Sequence, residues 1–323
     1  MQKPRIVFFG SGPVAAASLE LLAADFEIEA VVTKPKPAHH RASFPVLDVV
    51  EKLQLQVHTV STKTELSAVM ATRPFLSTTG VLIDFGIIIA RDAIDYFPKG
   101  IVNSHFSLLP QWRGADPITF SLLSGQSQTG VSLMLLVEKM DEGPLLCQGV
   151  YEIQPADTTP SLTDELIKLS YALLRDSLPS YISGEPHPET GMAVKPASQA
   201  EVARMMNLPS EPTYSRKLTK EDGRIVWSKS AEQLEREVRA YLEWPKSYTR
   251  LGTTDVIITQ AYVVPSQPAG AKPGDIEVIK DINALAVCTG NGTLYIQKLK
   301  PAGKKEMSAE AFLAGYGKTL EAA

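Results

Sequence analysis

Short apolar runs alternate with segments of helical periodicity over residues 1–182. Strands buried on both faces of a parallel sheet are continuously apolar, whereas helices repeat apolar residues every three or four positions. The pattern predicts strands at Arg5–Phe9, Ile28–Thr33, Val57–Val60, Val81–Ile83, Ile101–His105 and Val131–Val137. It predicts helices at Ala15–Ala24, Leu47–Leu53, Thr64–Ala71, Pro117–Leu123 and Leu162–Ile182. Such alternation is typical of a doubly wound α/β domain with a mostly parallel sheet.

Residues 183–213 depart from this pattern, because seven of these 31 residues are proline or glycine. We interpret the segment as an extended connector. Beyond it, Ser230 precedes a predicted helix at Ala231–Ala240. Short strands are then predicted near Ser247–Leu251, Val256–Val263, Asp275–Ile279, Ala284–Thr289 and Leu294–Lys298. Regularly spaced short strands suggest a small barrel, so we expect an N-terminal domain (1–182), a linker (183–213) and a C-terminal β domain (214–323).

The composition is that of a globular protein, with 44% hydrophobic and 21% charged residues. No apolar run approaches the ~20 residues needed to cross a bilayer, and Met1–Pro4 leads directly into a predicted strand, which leaves no room for a targeting peptide. Cys147 and Cys288 lie far apart without metal-ligand spacing, so we expect free thiols and a cytoplasmic protein. We expect no membrane association and no obligate protein partner.

The net charge of −4 argues against an unusually basic nucleic-acid-binding protein. The charges are unevenly distributed, however. Residues 1–182 carry 14 basic and 19 acidic side chains, whereas residues 214–323 carry 16 basic and 13 acidic ones. A polyanion therefore has more reason to contact the C-terminal domain than the N-terminal one.

Residues 10–15 read Gly-Ser-Gly-Pro-Val-Ala between the first predicted strand and helix, which fits the dinucleotide-binding turn G-x-G-x-x-A. That site also requires a carboxylate about 20 residues later for the ribose. The second predicted strand ends Val31-Val32-Thr33-Lys34, without Asp or Glu at its tip. We therefore interpret the glycines as a tight turn and not as a nicotinamide or flavin site.

Asn103 and His105 stand two residues apart at the end of a predicted strand, so their side chains share a face. Open α/β sheets bind ligands at the carboxyl ends of their strands. Asp141 follows another predicted strand, in the loop Asp-Glu-Gly. Each residue alone is commonly structural, but an amide, an imidazole and a carboxylate together suit proton transfer and charge stabilisation. Asn103, His105 and Asp141 are therefore candidate catalytic residues.

The run Asn103–Pro110, followed by Trp112-Arg113-Gly114-Ala115 and Pro117, resembles the signature of the folate-dependent formyltransferases. The likeness continues at residues 213–218, 224–228, 231–241, 244–245 and 300–309, and so covers nearly the whole chain. The first motif is shared by all enzymes on this catalytic fold. The C-terminal stretches are similar to the branch that acts on an aminoacylated tRNA.

This resemblance implies a doubly wound catalytic domain and a C-terminal barrel similar to the OB fold. It implies 10-formyltetrahydrofolate as co-substrate and the α-amine of methionine esterified to initiator tRNA as acceptor. The family's catalytic Asn, His and Asp match Asn103, His105 and Asp141, and its folate-contacting residues match Ser107, Leu108, Leu109 and Pro110. The reaction requires no metal, and the sequence has no His/Cys cluster to bind one.

The family also has a flexible basic loop that grips the acceptor stem, and the matching segment between Thr33 and Phe44 is shorter here. Lys36 and Arg41 are candidate phosphate contacts in it, although an ordinary solvated loop is equally compatible. In the C-terminal domain the candidate tRNA contacts are Lys298, Lys300, Lys304 and Lys305. We expect the aromatic residues Trp227, Tyr241, Trp244 and Tyr248 to pack within or between domains rather than stack on bases.

Two positions depart from the family pattern. Phe106 stands where glycine or proline is common, next to His105. Asp84 lies in a segment that usually reads as an apolar strand followed by Ala-Tyr-Gly and that helps hold the pterin. A carboxylate at this position is expected to alter the affinity for the folate carrier.

Two alternatives remain open. The first is another enzyme on the same scaffold: a formyltransferase acting on a sugar-nucleotide or ribonucleotide amine, or a hydrolase that releases formate from formyltetrahydrofolate. These share the three catalytic residues, and only the C-terminal similarity favours the tRNA acceptor. The second is a tRNA- or folate-binding protein without catalysis, against which the intact Asn, His and Asp argue.

Overall fold

The computed structural model describes residues 3–36, 44–279 and 284–320, without the side chains of Lys318 and Thr319. The chain divides into two compact units. The first comprises residues 1–117, 128–152 and 163–215, and the second comprises residues 118–127, 153–162 and 216–323. Each unit contains a multi-stranded sheet, and the candidate catalytic residues all belong to the first unit.

The first unit is organised around a seven-stranded sheet with the order β3-β2-β1-β4-β5-β7-β8. Its strands are parallel except where β7 pairs with β5 and β8. A separate two-stranded sheet joins β6 to β9. The bounds are β1 Arg5–Phe9, β2 Glu27–Thr33, β3 Val57–Thr59, β4 Gly80–Leu82, β5 Ile101–His105, β6 Arg113–Gly114, β7 Gln128–Leu135, β8 Leu145–Glu152 and β9 Tyr214–Ser215.

Helices follow most of the parallel strands, and several begin at a residue that suits a helix start. Pro13 occupies the first position of α1, where its missing N–H is not needed. The Thr62, Ser198 and Ser230 hydroxyls accept backbone hydrogen bonds at the starts of α3, α7 and α8. The bounds are α1 Pro13–Leu22, α2 Pro45–Leu53, α3 Lys63–Ala71, α4 Arg91–Asp95, α5 Pro117–Ser124, α6 Thr159–Ser183, α7 Gln199–Met205, α8 Ala231–Ala240 and α9 Ala309–Leu320.

The second unit contains an antiparallel sheet with the order β10-β11-β14-β13-β12, and β15 pairs with β14. Its core includes Leu234 and Val238 of α8, Phe312 of α9, and inward-facing residues of the strands. The bounds are β10 Ser247–Leu251, β11 Thr254–Val264, β12 Ile276–Ile279, β13 Ala284–Cys288, β14 Thr293–Pro301 and β15 Met307–Ser308. The expected fold class, a mostly parallel α/β domain followed by an antiparallel β domain, is confirmed.

Some elements were not predicted. The sequence pattern missed β8, α4 and α9, and it placed β7 about three residues late. The segment interpreted as an extended connector contains α7, whose first residue, Gln199, is buried. The high proline and glycine content of residues 183–213 concealed this helix, because the breakers lie on either side of it.

Candidate active site

Asn103 is the third residue of β5 and His105 is its last, and β5 lies in the interior of the seven-stranded sheet. They are 8% and 6% exposed, respectively. Asn103 pairs with Leu82 of β4 on one side and with Met134 of β7 on the other, and His105 pairs with Ser132. Polar side chains this deeply buried need partners in the protein or a ligand.

The imidazole of His105 contacts two acceptors. Its Nε2 lies 2.9 Å from the carbonyl oxygen of Trp112. A carbonyl oxygen only accepts hydrogen bonds, so this contact requires Nε2 to carry a proton. Its Nδ1 lies 3.8 Å from Oδ1 of Asp141, which is beyond hydrogen-bond distance but within ion-pair distance. Nδ1 is therefore the ring nitrogen that carries no proton in the neutral imidazole, and a carboxylate faces it.

Asp141 is held by the loop that follows β7. Its backbone is left-handed, with φ +53°, and its Oδ2 accepts a 2.8 Å hydrogen bond from the Gly114 backbone N–H. Gly143 closes the loop against β7, because a Cβ there would stand 1.7 Å from the carbonyl oxygen of Leu135. The Asp141 side chain is only 11% exposed. The loop sequence Asp-Glu-Gly thus fixes one carboxylate oxygen and leaves the other facing His105.

The loop from Trp112 to Gly114 is held by residues 213–215. The Trp112 N–H donates to Oγ1 of Thr213 at 2.9 Å, and the Arg113 N–H donates to the Thr213 carbonyl at 2.9 Å. Gly114 has φ +108°, and a Cβ there would lie 2.4 Å from the Ser215 carbonyl oxygen. These contacts position the Trp112 carbonyl, which accepts from His105, and the Gly114 N–H, which donates to Asp141. Sequence analysis related residues 213–218 to the same family as the motif, but it did not predict that they hold this loop.

Gln199 joins the two loops of the site. Its Nε2 donates to the carbonyl oxygens of Asp141 at 2.7 Å and Gly143 at 3.0 Å, and its Oε1 accepts from Nη2 of Arg113 at 2.7 Å. All of its amide groups are therefore used. Sequence reasoning missed this residue, since a single glutamine in a proline-rich segment carries no signal.

Residues 107–110, predicted to contact folate, form a buried turn directly after β5. The Ser132 hydroxyl donates to the Ser107 carbonyl at 2.6 Å and accepts from the Leu109 N–H at 3.0 Å. Gln148 donates to the Leu109 carbonyl at 2.9 Å. The side chains of Ser107, Leu108 and Leu109 are no more than 5% exposed, and Phe106 is 6% exposed. Their role towards folate remains a prediction.

Asp84 follows β4, next to the strand that carries Asn103 and His105. Its carbonyl oxygen accepts hydrogen bonds from the Ser11 and Gly12 N–H groups at 3.0 and 3.3 Å. Its carboxylate is reached by solvent but surrounded by protein, and this desolvation raises its pKa to about 6. Lys34 opposes the increase and Asp116 adds to it. The glycine-rich turn between β1 and α1 therefore binds the backbone of Asp84, and the Asp84 carboxylate also lies against Gly12.

The candidate tRNA contacts are exposed wherever the structure describes them. Lys298 and Lys300 alternate along β14, and Lys304 and Lys305 follow in a turn. Lys36 is also exposed, whereas Arg41 lies outside the described residues. These assignments remain predictions.

The described parts of the chain contain no cluster of three or more His, Cys, Asp or Glu side chains that could hold a metal ion. None of the helices described is long and apolar enough to cross a membrane. Cys147 and Cys288 are both unpaired thiols.

Both parts of the chain are similar to known proteins. Residues 4–178 match the family described as formyl transferase, and residues 217–317 match the family described as formyl transferase, C-terminal domain. The methionyl-tRNA formyltransferase of Roseiflexus castenholzii is 34% identical over 319 residues, which cover 96% of each chain. The protein of the same name from Chloroflexus aggregans is 35% identical over 316 residues, which cover 96% of this chain and 97% of that one.

A solved structure shares the fold. The N-formyltransferase of Helicobacter canadensis, in complex with folinic acid and dTDP-3-aminofucose, matches 95% of this chain and 100% of its own. The TM-score is 0.66 and the sequence identity is 15%. At this identity the likeness concerns the fold alone.

Proposed function

Because this chain belongs to the formyl transferase family, we propose that it transfers a formyl group from 10-formyltetrahydrofolate to the α-amine of methionyl initiator tRNA. The main observation behind the proposal is that Nδ1 of His105 lies 3.8 Å from Oδ1 of Asp141. Asn103 lies two residues before His105 on the same strand, β5. The acceptor is proposed from relatives named for methionyl-tRNA, which are similar over nearly the full length, including the C-terminal domain.

The proposed reaction is an acyl transfer. The neutral amine attacks the formyl carbon, and negative charge develops on the formyl oxygen. Asn103 donates a hydrogen bond to that oxygen, and His105 stabilises it from the same face of β5. Buried donors are effective here because they are fixed and shielded from water, and the loss of one typically costs on the order of 10²–10³ in rate.

Proton transfer completes the reaction. As the bond between the formyl carbon and N10 of the carrier breaks, the proton of the attacking amine is delivered to N10, giving tetrahydrofolate and a formylated amine. We assign His105 and Asp141 to this transfer, because Nδ1 faces the carboxylate. Their separation is expected to shorten when substrates bind, as is common for catalytic hydrogen bonds that are loose without substrate.

Transfer of labelled formyl from 10-formyltetrahydrofolate tests the proposal, with methionyl initiator tRNA, uncharged tRNA and no acceptor compared. Formyl-methionyl-tRNA, absent with the His105→Ala variant, is the expected product. Formate released regardless of acceptor would indicate a hydrolase, and turnover only with an amino-sugar nucleotide or an amino ribonucleotide would assign a different acceptor. Binding without turnover would contradict catalysis altogether.

The unpaired thiols lead us to propose a cytoplasmic location.

A further inference from the structure

A groove of about 730 Å³ opens on the second unit. Its volume is within the range of ligand pockets, ~300–1,000 Å³. It is lined by residues of the segment before α8, of β10, of β11, and of the end of β14 and the turn after it. All of these residues belong to the second unit, and none of them is a candidate active-site residue.

The floor of the groove is a row of side chains across neighbouring strands. Tyr248 of β10 pairs with Ile257 of β11, and Ile257 pairs with Lys300 of β14. Arg224 forms an isolated bridge with Tyr248 at the other end of the row. Residues opposite one another in a sheet point to the same face. Since the adjacent residues Ile258 and Leu299 belong to the core, this row faces away from it.

Two aromatic side chains are available in the groove. Trp227 and Tyr248 are half-buried and line it together with Ile225 and Ile257. Trp227 packs partly against the core, which fixes its position. Within the described residues, the Tyr248 hydroxyl and the Trp227 indole N–H make no hydrogen bond. Sequence analysis assigned both residues to packing, but their positions also expose ring surface to a ligand.

The rim of the groove is positively charged. Lys220, Arg224 and Lys300 are exposed and make no ion pair with any residue that the structure describes. Arg250 also lines the groove, but it is paired with Asp255 at 2.7 Å. Three unpaired cations around an aromatic floor, in a chain with a net charge of −4, indicate an anionic ligand with flat rings.

We propose that this groove binds unpaired nucleotides of the RNA substrate, with a base against Tyr248 or Trp227 and phosphates against Lys220, Arg224 and Lys300. Proteins that bind single strands combine aromatic surfaces with a cationic groove in this way. A continuous duplex keeps its bases stacked on each other and cannot use the rings. The proposal rests on the proposed function, because that function supplies the RNA, and it assigns aromatic contacts where only lysine contacts were predicted.

A fluorescence titration tests the proposal with the full-length chain. The probe is a single-stranded hexaribonucleotide with a central 2-aminopurine, and the comparison is a blunt duplex of the same sequence. Stacking on the groove is expected to quench the single strand and not the duplex. Tyr248→Leu should weaken binding of the single strand about tenfold, whereas Tyr248→Phe, which keeps the ring, should bind like the unchanged protein.

The cationic rim has its own matched pair of variants. Lys300→Ala should weaken binding and reduce the slope of log K against log salt by about 0.7, the value for one phosphate contact on a single strand. Lys272→Ala removes another exposed lysine of the second unit, one that does not line the groove, and it should leave both quantities unchanged. Thermal unfolding of each variant identifies any loss of binding that is caused by unfolding.

Several outcomes would overturn the proposal: equal binding of duplex and single strand, equal effects of the Lys300 and Lys272 changes, or displacement of the probe by free AMP at the affinity of the hexanucleotide. Its failure is distinguishable from failure of the proposed function. Suppose that formyl transfer to methionyl-tRNA is normal, but that Tyr248→Leu and Lys300→Ala change neither its KM nor hexanucleotide binding. In that case only the proposal for the groove is wrong. If hexanucleotide binding follows the predictions but no formyl is transferred, only the proposed function is wrong.

Discussion

The carboxylate of Asp84 occupies the space that a side chain at Gly12 would need. A Cβ on Gly12 would stand 1.7 Å from Oδ2 of Asp84 and 2.7 Å from its Cγ. The Gly12 backbone is extended, with φ −88° and ψ −179°, so any residue can adopt its conformation. The neighbouring carboxylate, and not the backbone, therefore disfavours a side chain at position 12, which gives this glycine of the G-x-G turn a structural explanation.

The first prediction concerns this pair. Gly12→Ala should destabilise the protein by about 1 kcal/mol, because the methyl group overlaps the end of the Asp84 side chain and forces it to move. In an Asp84→Ala background the same change should cost little, since the atoms that it overlaps are gone. Urea unfolding of both single variants and the double variant gives the coupling energy. An equal cost of Gly12→Ala in both backgrounds would rule out this explanation.

The second prediction concerns the pH dependence of Asp84. Its pKa in the folded protein is raised to about 6, so the folded state binds a proton more tightly than the unfolded chain does. Stability is therefore lost as the pH rises from about 4 to about 6, and Asp84→Asn removes this loss. Solvent reaches the side chain, so we expect an advantage for Asp84→Asn on the order of 1 kcal/mol at pH 8.

Urea unfolding at pH 4, 6 and 8 measures this difference. The two proteins should be similarly stable at pH 4 and should diverge by pH 8. Asp116→Asn is a useful second variant, because it removes the neighbouring charge that helps raise the Asp84 pKa. A constant difference between Asp84→Asn and the unchanged protein across the three pH values would show that Asp84 does not titrate in this range.

The sequence alone predicted the elements whose burial produces a strong pattern of apolar residues. Ile6–Phe9 of β1 are fully buried and continuously apolar, so the strand was evident. β8 lies at the edge of the sheet and is mostly half-buried, which leaves no continuous apolar run. Its antiparallel direction depends on the pairing with β7, and local sequence does not determine such pairing.

The site was predictable to a similar extent. Asn103, His105 and Asp141 were identified because an amide and an imidazole share a face of one strand, with a carboxylate after the next, and because their motif resembles a known family. Gln199 was not, since its importance arises from long-range hydrogen bonds to Asp141 and Gly143, 58 and 56 residues away in the chain. Residues that position others through backbone carbonyls require no particular sequence motif.

The third prediction tests Gln199 as a positioning residue. Gln199→Ala leaves the Asp141 and Gly143 carbonyls without a donor and removes one acceptor of Arg113, which keeps its ion pair with Glu142, so stability should fall by about 1–3 kcal/mol. Misplacement of Asp141 should lower kcat about tenfold or more with little change in KM for folate. Gln267 is a matched control, because its Nε2 also donates to two carbonyls, those of Thr289 and Gly292, but in the second unit.

Gln267→Ala should cost similar stability without lowering kcat. Both variants are compared at a temperature well below their unfolding transitions, so that differences in kcat reflect the folded protein. If the two variants lower kcat equally, Gln199 has only a structural role. If neither lowers stability, the hydrogen bonds to the carbonyls contribute little.

The fourth prediction concerns the charge that faces His105. Asparagine tolerates the left-handed backbone at position 141, and its side-chain oxygen can still accept the hydrogen bond from the Gly114 N–H. Asp141→Asn therefore preserves the loop but removes the negative charge 3.8 Å from Nδ1. We expect the free energy of unfolding to be unchanged. The rate of formyl transfer should fall by a factor of about 10²–10⁴, the usual contribution of acid–base catalysis.

Glu138→Gln is the control for this change, because Glu138 is an exposed carboxylate in the same loop and should be replaceable without loss of activity. Single-turnover formyl transfer with saturating folate separates chemistry from binding. Near-normal transfer by Asp141→Asn would exclude the carboxylate from the proton transfer. A loss of folate binding without a change in the single-turnover rate would instead assign Asp141 to the binding of the carrier, and it would leave His105 and Asn103 as the groups that act on the formyl oxygen.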